Sequence, residues 1–417
     1  MVGVSEGPAG FQAIRETNLG IVLRTIREQA PCSRALVAGA TGLTKATVSS
    51  IVADLIGRGL VRETGQQAER KVGRPGVMLT LDHQTLAAIG LEINVDYVSI
   101  VAVDLLEQEL LTEHVEFDAR AAGPEACARR LRDALLEVIG DPLMRRRALL
   151  GVSVAVPGLI DSASGTVTNA PNLDWHGFAL RDRLSALLAD AGHPGLALLV
   201  DNDANLGAIA EYRGGHLART PDLVYITGEV GIGAGLLMDG RLLRGSGGFA
   251  GELGHIPLLK DGPACGCGRR GCLEALAGVD AVLRRALPDV LAPERTASID
   301  VGAMVDLTVQ RAEAGDPTVL EALEDAGTWL GRGAATLVNL LNPRAVVFGG
   351  YFVPLAPWLL PPCRAVLGAH VFAADSGGCR VDASALGLSA AARGGAMALV
   401  DALDTGALPL PPSRSAA

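Results

Sequence analysis

The stretch that decides the reading begins Gly248-Phe249-Ala250-Gly251-Glu252-Leu253-Gly254-His255 and continues, after a short spacer, as Cys265-Gly266-Cys267-Gly268-Arg269-Arg270-Gly271-Cys272-Leu273-Glu274. His255 with Cys265, Cys267 and Cys272 supplies one imidazole and three thiolates, the set that tetrahedral structural zinc prefers; four protein ligands would close the site and leave no place for a catalytic water. Gly266, Gly268 and Gly271 are expected to let the backbone fold sharply enough to aim the sulfurs at one ion. The alternative is a loop carrying three reduced thiols. Clustering of this kind fits a metal site better than a disulfide framework, and the scattered Cys32, Cys127, Cys363 and Cys379 read as small hydrophobes in a reducing compartment.

Working outward, 417 residues with 49% hydrophobic content exceed one ordinary core, so two or three packed units are expected. The apolar runs are too short to cross a bilayer uninterrupted, and the N-terminus lacks a secretory pattern, so no membrane association and a cytoplasmic location are expected. The net charge of −10 argues against a nucleic-acid coat, but it is unevenly distributed. Residues 11–80 carry net +5, which leaves −15 for the rest. A small basic module sits on a large acidic body.

That module, taken as residues 11–82, reads as a winged helix-turn-helix. Leu19, Ile21, Val22, Leu23 and Ile26 recur at helical spacing from Asn18 to Gln29, and Pro31 stops the run. Ser33 is the expected cap of a short helix through Ala40, Thr41-Gly42-Leu43 the turn, and Thr44 the cap of a helix reaching about Arg58. Val48, Ile51, Val52 and Leu55 form that helix's buried stripe, which leaves Thr44, Lys45, Thr47 and Ser49 to face a major groove. Strands over Leu60–Thr64 and Val77–Leu81 flank a loop with Arg70, Lys71 and Arg74. Gly73-Arg74-Pro75 would hold the Arg74 guanidinium extended for a minor groove; the bland alternative is a solvated hairpin, or a module that docks protein.

From residue 86 to 404 the pattern alternates between strands and helices, which implies α/β layers in two lobes. Strands are expected over Ile89–Asp104, Ala148–Val156, Leu196–Val200, Leu223–Thr227, Gly233–Leu237 and Ala345–Phe348. Helices are expected over about Pro124–Ile139, Ala204–Tyr212 and Pro317–Leu341. Residues 405–417 read as a frayed tail.

The Gly248–His255 and Cys265–Glu274 segments together resemble the signature of the ROK family of repressors, open reading frames and sugar kinases. With the winged helix in front, the chain is similar to the family's repressor branch over nearly its whole length. The resemblance implies an actin-like, two-lobed fold, a homodimer or dimer of dimers, and a sugar effector in the cleft. It assigns sugar contacts to Asn202, Asp203, Glu252, His255 and Glu274, with Pro157-Gly158, Ala170–Leu173 and Trp175 lining the cleft. Carboxylates and amides on rigid turns suit the paired hydroxyls of a pyranose. It also places Asp203 at the position of the kinases' general base.

The phosphate-binding turns depart from the kinase pattern. Where that pattern has Gly-Gly-Thr, this chain has Asn94-Val95-Asp96; where it has Gly-Thr-Gly, Glu229 and Val230 replace the first two positions. Side chains and negative charge then stand where backbone N–H groups should meet phosphate. The expected function is a sugar-responsive repressor bound to double-stranded operator DNA, without enzymatic activity; the alternative is an ATP-dependent sugar kinase with an accessory N-terminal domain.

Overall fold

The computed structural model describes residues 8–66, 77–291, 300–373 and 378–410. The first helix, α1 (Pro8–Gln29), begins well before Asn18, and the chain then forms a short strand, β1 (Cys32–Ser33). Ser33 caps α2 (Arg34–Thr41) by accepting the Leu36 N–H at 3.2 Å, and Gly42 ends it at φ 71°. Thr44 caps α3 (Lys45–Gly57) by accepting the Thr47 N–H at 3.1 Å. The chain turns 117° between α2 and α3, within the range of a helix-turn-helix. Val48, Ile51, Val52 and Leu55 are buried as the spacing predicts. Strands β2 (Val61–Gln66) and β3 (Val77–Leu81) pair antiparallel, and β1 adds to the other edge of β3. The loop between β2 and β3, with Arg70, Lys71 and Arg74, lies outside the described residues.

The link from β3 to the body is short and pinned. Asp82 N–H donates to the Leu60 carbonyl at 2.9 Å and the Thr85 hydroxyl to the Gly59 carbonyl at 2.5 Å. The first lobe then follows as β4 (Leu86–Ile93), β5 (Tyr97–Val103), β6 (Glu109–Glu116), α4 (Ala119–Gly140), β7 (Ala148–Val156), the small antiparallel sheet β8 (Leu159–Asp161), β9 (Thr166–Ala170) and β10 (Trp175–Phe178), α5 (Leu180–Asp190), β11 (Leu198–Asn202) and α6 (Asp203–Gly214). The strand-patterned stretch Ile89–Asp104 falls in two strands, divided at the expected turn, where Asn94 N–H donates to the Tyr97 carbonyl at 2.9 Å. Helix α4 breaks at Gly123 (φ 74°), so its regular part starts at Pro124.

The second lobe contains β12 (Leu223–Gly228), β13 (Ile232–Met238), β14 (Arg241–Leu242), α7 (Leu273–Ala277), α8 (Val279–Ala286), α9 (Val301–Glu313), α10 (Pro317–Leu341), β15 (Ala345–Gly350), α11 (Phe352–His370) and β16 (Arg380–Ala383). Its sheet order, β14-β13-β12-β15-β16, repeats that of the first lobe, β11-β7-β4-β5-β6, read from the other edge. In each lobe the first three strands form an antiparallel meander, and the later two join parallel to the first strand. This duplication is the actin-like, two-lobed architecture that the resemblance implies. Helix α11 is long and apolar enough to span a bilayer, but it contains Arg364 and four prolines and buries Phe352, Leu355, Leu359 and Cys363 within the second lobe's core.

The last helix, α12 (Ala390–Asp404), joins the parts. It crosses α6 where a Cβ on Gly394 would lie 1.7 Å from the Leu206 carbonyl oxygen, so only glycine allows that approach. Its far end meets α1, where a Cβ on Gly20 would lie 2.0 Å from the Asp404 carbonyl oxygen, and Arg27 and Asp404 form a buried ion pair. Leu23 and Ile26 of α1, Leu79 of β3, Ala88 of β4 and Leu399 and Leu403 of α12 therefore share one core. The module is not a separate bead on a linker. Leu408 and Leu410 also pack against this core, so the first part of the segment expected to fray is held; residues 411–417 lie outside the described ones.

Candidate functional site

Between the lobes, the C-terminal ends of β4, β11 and β12 and the N-terminus of α6 open on a cleft of about 850 Å³, open solvent at its mouth included. Ligands of α/β folds collect at such strand ends. Asn202, Asp203, Glu252, His255 and Glu274 all line it, as do Pro157, Gly158, Ala170, Pro171 and Asn172. Leu173 and Trp175 stand behind it, each 1% exposed, in the first lobe's core.

These side chains differ in how far the protein already engages them. The Asn202 Oδ1 caps α6 by accepting the Asn205 N–H at 3.1 Å, and its Nδ2 donates to the Gly158 carbonyl at 3.1 Å. Asp203 is buried, and its Oδ1 accepts the Ala204 N–H at 2.8 Å. Burial first, then Glu252, pushes its carboxyl up to about 6 against the Ala204 bond that lowers it. Glu274 accepts the Ile232 N–H at 3.2 Å. Glu252 lies in the open mouth, reachable by water yet surrounded by the cleft walls, and that low-dielectric surrounding raises its proton affinity, with His255 opposing and Glu274 reinforcing. Among the described residues no hydrogen bond engages its carboxylate.

The two turns at the opposite end are closed on themselves. In the turn after β4, the Asn94 Oδ1 accepts the Val95 N–H at 2.7 Å, and Asp96 accepts the Tyr351 hydroxyl at 3.0 Å from the other lobe. In the turn after β12, the Glu229 N–H donates to the Gly231 carbonyl at 3.1 Å. Behind these turns lies a buried acidic cluster that sequence reasoning missed. The Tyr97 hydroxyl donates to Glu92 at 2.8 Å and lies 3.5 Å from Glu229, which also accepts the Thr227 hydroxyl at 3.2 Å. Glu92, Asp203 and Glu229 are 2%, 6% and 8% exposed. Burial pushes the Glu92 carboxyl up to about 8; burial, then Glu92 and Asp203, pushes Glu229 well above the usual carboxylate range. The available signal was a glutamate inside an otherwise apolar strand, Leu86–Ile93.

Ligand atoms of His255, Cys265, Cys267 and Cys272 all lie within 4.8 Å of one another, a cluster that can hold a metal ion. Cys265 Sγ is 3.7 Å from His255 Nδ1, and Cys267 Sγ is 3.7 Å from Cys272 Sγ. Gly268 (φ 85°) and Gly271 (φ 68°) provide the left-handed turns. Gly266 has ordinary φ and open space around it, so the sharp fold expected there depends on the other two glycines. Cys265 Sγ also lies 3.7 Å from Glu274 Oε1, which joins this cluster to the cleft wall.

At the start of α3, Thr44, Lys45 and Ser49 are exposed and Thr47 is half-buried. The Thr44 hydroxyl is engaged in capping and lies 2.8 Å from that of Thr47. Lys45 and Ser49 are therefore the more available pair.

The profile described as ROK family matches residues 88–402. The chain is 30% identical over 377 residues to the xylose repressor of Caldicellulosiruptor bescii, covering 89% of this chain and 92% of that protein. It is 30% identical over 366 residues to the N-acetylglucosamine repressor of Escherichia coli, covering 87% of each. Among solved structures it is similar to a ROK family transcriptional regulator described as a homologue of the E. coli MLC protein, with a TM-score of 0.78, 26% identity and coverage of 94% of this chain and 98% of that one. A ROK family glucokinase from Streptomyces griseus, solved with glucose and AMPPNP, matches with a TM-score of 0.61 and 28% identity over 75% of this chain and 98% of its own.

Proposed function

The chain belongs to the ROK family, and from that membership we propose that it is a cytoplasmic, sugar-responsive transcriptional repressor that binds operator DNA as a homodimer or dimer of dimers. The observation that carries this reading is the join between a helix-turn-helix and a cleft whose phosphate-facing turns are internally satisfied. The named repressors among its relatives support it further. In this reading residues 11–82 contact DNA and 86–404 sense the effector. Lys45 and Ser49, with Thr44, Thr47 and Arg74, meet the duplex.

A sugar in the cleft would donate hydroxyls to Asp203, Glu252 and Glu274 and accept from His255. Asn202 positions the α6 N-terminus through its cap. Zinc is the proposed metal at His255, Cys265, Cys267 and Cys272. Edges of about 3.6–3.8 Å follow from a tetrahedron with Zn–S near 2.3 Å and Zn–N near 2.0–2.1 Å, close to the 3.7 Å separations seen. When bound, the ion would serve as a structural anchor that fixes His255 and, through Cys272 at the head of α7, Glu274. Phosphoryl transfer is proposed to be lost, because a base at Asp203 does no chemistry without a seated triphosphate.

Coupling would run along packed helices. Asp203 opens α6, α6 packs closely on α12, and α12 ends against α1 at Gly20 and Arg27. Sugar that favours one lobe arrangement would thus shift the spacing of paired recognition helices; equal affinity for both arrangements would shift nothing. Fluorescence anisotropy on duplexes from the gene's own upstream region, with and without sugars, tests this. A sugar that binds should change DNA affinity by roughly 5-fold or more. Indifference to every sugar that binds refutes the regulator, and sugar-dependent ADP release abolished in Asp203→Asn would favour a kinase.

A further inference from the structure

The charge of the cleft limits the effector's chemistry. Asp203, Glu229, Glu252 and Glu274 all line it, and among the described residues no lysine or arginine does. Arg244, on the loop beyond β14, instead forms two bonds to Asp201 at 3.0 and 2.5 Å. Arg269, next to the metal cluster, reaches the His255 carbonyl at 3.4 Å.

Four backbone donors at the cleft are already taken. The N-terminus of a helix ordinarily attracts an anion with its free N–H groups. At α6, the Ala204 N–H is held by Asp203 and the Asn205 N–H by Asn202. The Val95 N–H is held by Asn94 and the Ile232 N–H by Glu274. A phosphate or carboxylate placed here would lose its water, face four carboxylates and no lysine or arginine among the described residues, and find those four N–H groups already bonded, a costly desolvation. Protons retained on Glu229 and Glu92 would soften the repulsion but add no positive charge. Sugar hydroxyls, by contrast, donate well to carboxylates.

We infer that the effector is a sugar bearing no negative charge, and that the cleft rejects the phosphorylated and uronic forms of the same sugars. This rests on the reading of the cleft as the effector site. It places the protein before the first kinase step of the sugar's breakdown: the signal is the free sugar, and the class of reaction that consumes the signal includes its phosphorylation.

Isothermal titration of the full chain with its metal, at pH 7.5, uses three groups of probes: xylose, glucose and N-acetylglucosamine; glucosamine as the cationic member; and glucose 6-phosphate, N-acetylglucosamine 6-phosphate and glucuronate. A free sugar should bind, with its charged counterpart weaker by on the order of 100-fold. In Glu252→Gln, which removes one charge from the mouth, that ratio should narrow by about 5-fold. A phosphorylated or uronic form that binds as tightly as its parent overturns the inference while leaving the effector site intact. If no probe of any group binds, the effector-site reading fails, and this inference fails with it.

Discussion

At the end of the cleft nearest the metal cluster, Glu252 stands free, His255 belongs to the cluster, and Glu274 is held by the Ile232 N–H. At the end nearest the β4–β5 turn, polar groups are already paired: Asn94 with Val95 N–H, Asp96 with Tyr351, and Glu229 with Thr227. Both ends are rich in polar atoms, so composition does not separate them. What separates them is how far those groups are engaged: Glu252 has no hydrogen bond among the described residues, whereas each named group at the other end keeps one, with Asp96 Oδ1 left over. A recognition site keeps donors and acceptors available in fixed positions, whereas the closed end uses its own to tie the lobes together.

Removing the metal should break the open end most severely. Chelation, or Cys272→Ser, deletes a ligand from a buried residue at the head of α7. Bound metal favours the folded state, so its loss should lower the melting temperature by about 5–10 °C and abolish sugar binding. Elemental analysis should find one zinc per chain before treatment; full sugar affinity in metal-free protein would show that the cluster does not support the cleft.

Glu252→Gln should act on affinity alone. The carboxylate is at the mouth and stabilises no neighbour, so the melting temperature without ligand should change by only about 1 °C. A charged hydrogen bond contributes about 1.5–3 kcal/mol, so sugar dissociation constants should rise roughly 10- to 100-fold by titration. An unchanged constant would remove Glu252 from the site.

Much of this architecture could be read from the sequence. Helix α10 and strand β7 have the bounds read from it, because Asp316-Pro317 marks the start of one and a continuous apolar run marks the other. Helix α12 escaped notice because Gly394-Gly395 looks like a breaker, whereas in the fold it permits helices to touch. Helix α11 was hidden by Pro357, Pro361 and Pro362, and strand β6 by its alternating polar face. At the site, the metal ligands were legible because their spacing is local. The Glu92–Tyr97–Glu229 cluster was not, since it exists only when the lobes meet.

That cluster gives the closed end a pH signature. With its folded value raised to about 8 from about 4.3 unfolded, Glu92 favours the native state most below its unfolded value, and that contribution is lost as pH rises through 8. Asp203, raised to about 6, acts in the same direction at lower pH. The protein should therefore melt lower at pH 9 than at pH 6. In Glu92→Gln the amide oxygen can still accept the Tyr97 hydroxyl, but there is no proton to lose. The variant should regain about 1–3 kcal/mol at pH 9, measured by denaturant unfolding; an unchanged pH slope would mean that Glu92 is ionised throughout.

The smallest effect should come from reopening the closed end. Asn94→Gly releases the Val95 N–H from the Oδ1 that now occupies it, and Glu229→Gly removes a buried carboxylate that would face a triphosphate. Wild-type protein should show no ATP binding by titration at millimolar nucleotide. The double variant should gain only weak binding, with a dissociation constant of about 1–10 mM, or roughly 3–4 kcal/mol in total, because Asp96 still holds Tyr351 where a hydroxyl would be needed. Micromolar ATP affinity in the wild type would mean that these turns open in solution and that the contrast between the two ends is one of conformation, not of sequence.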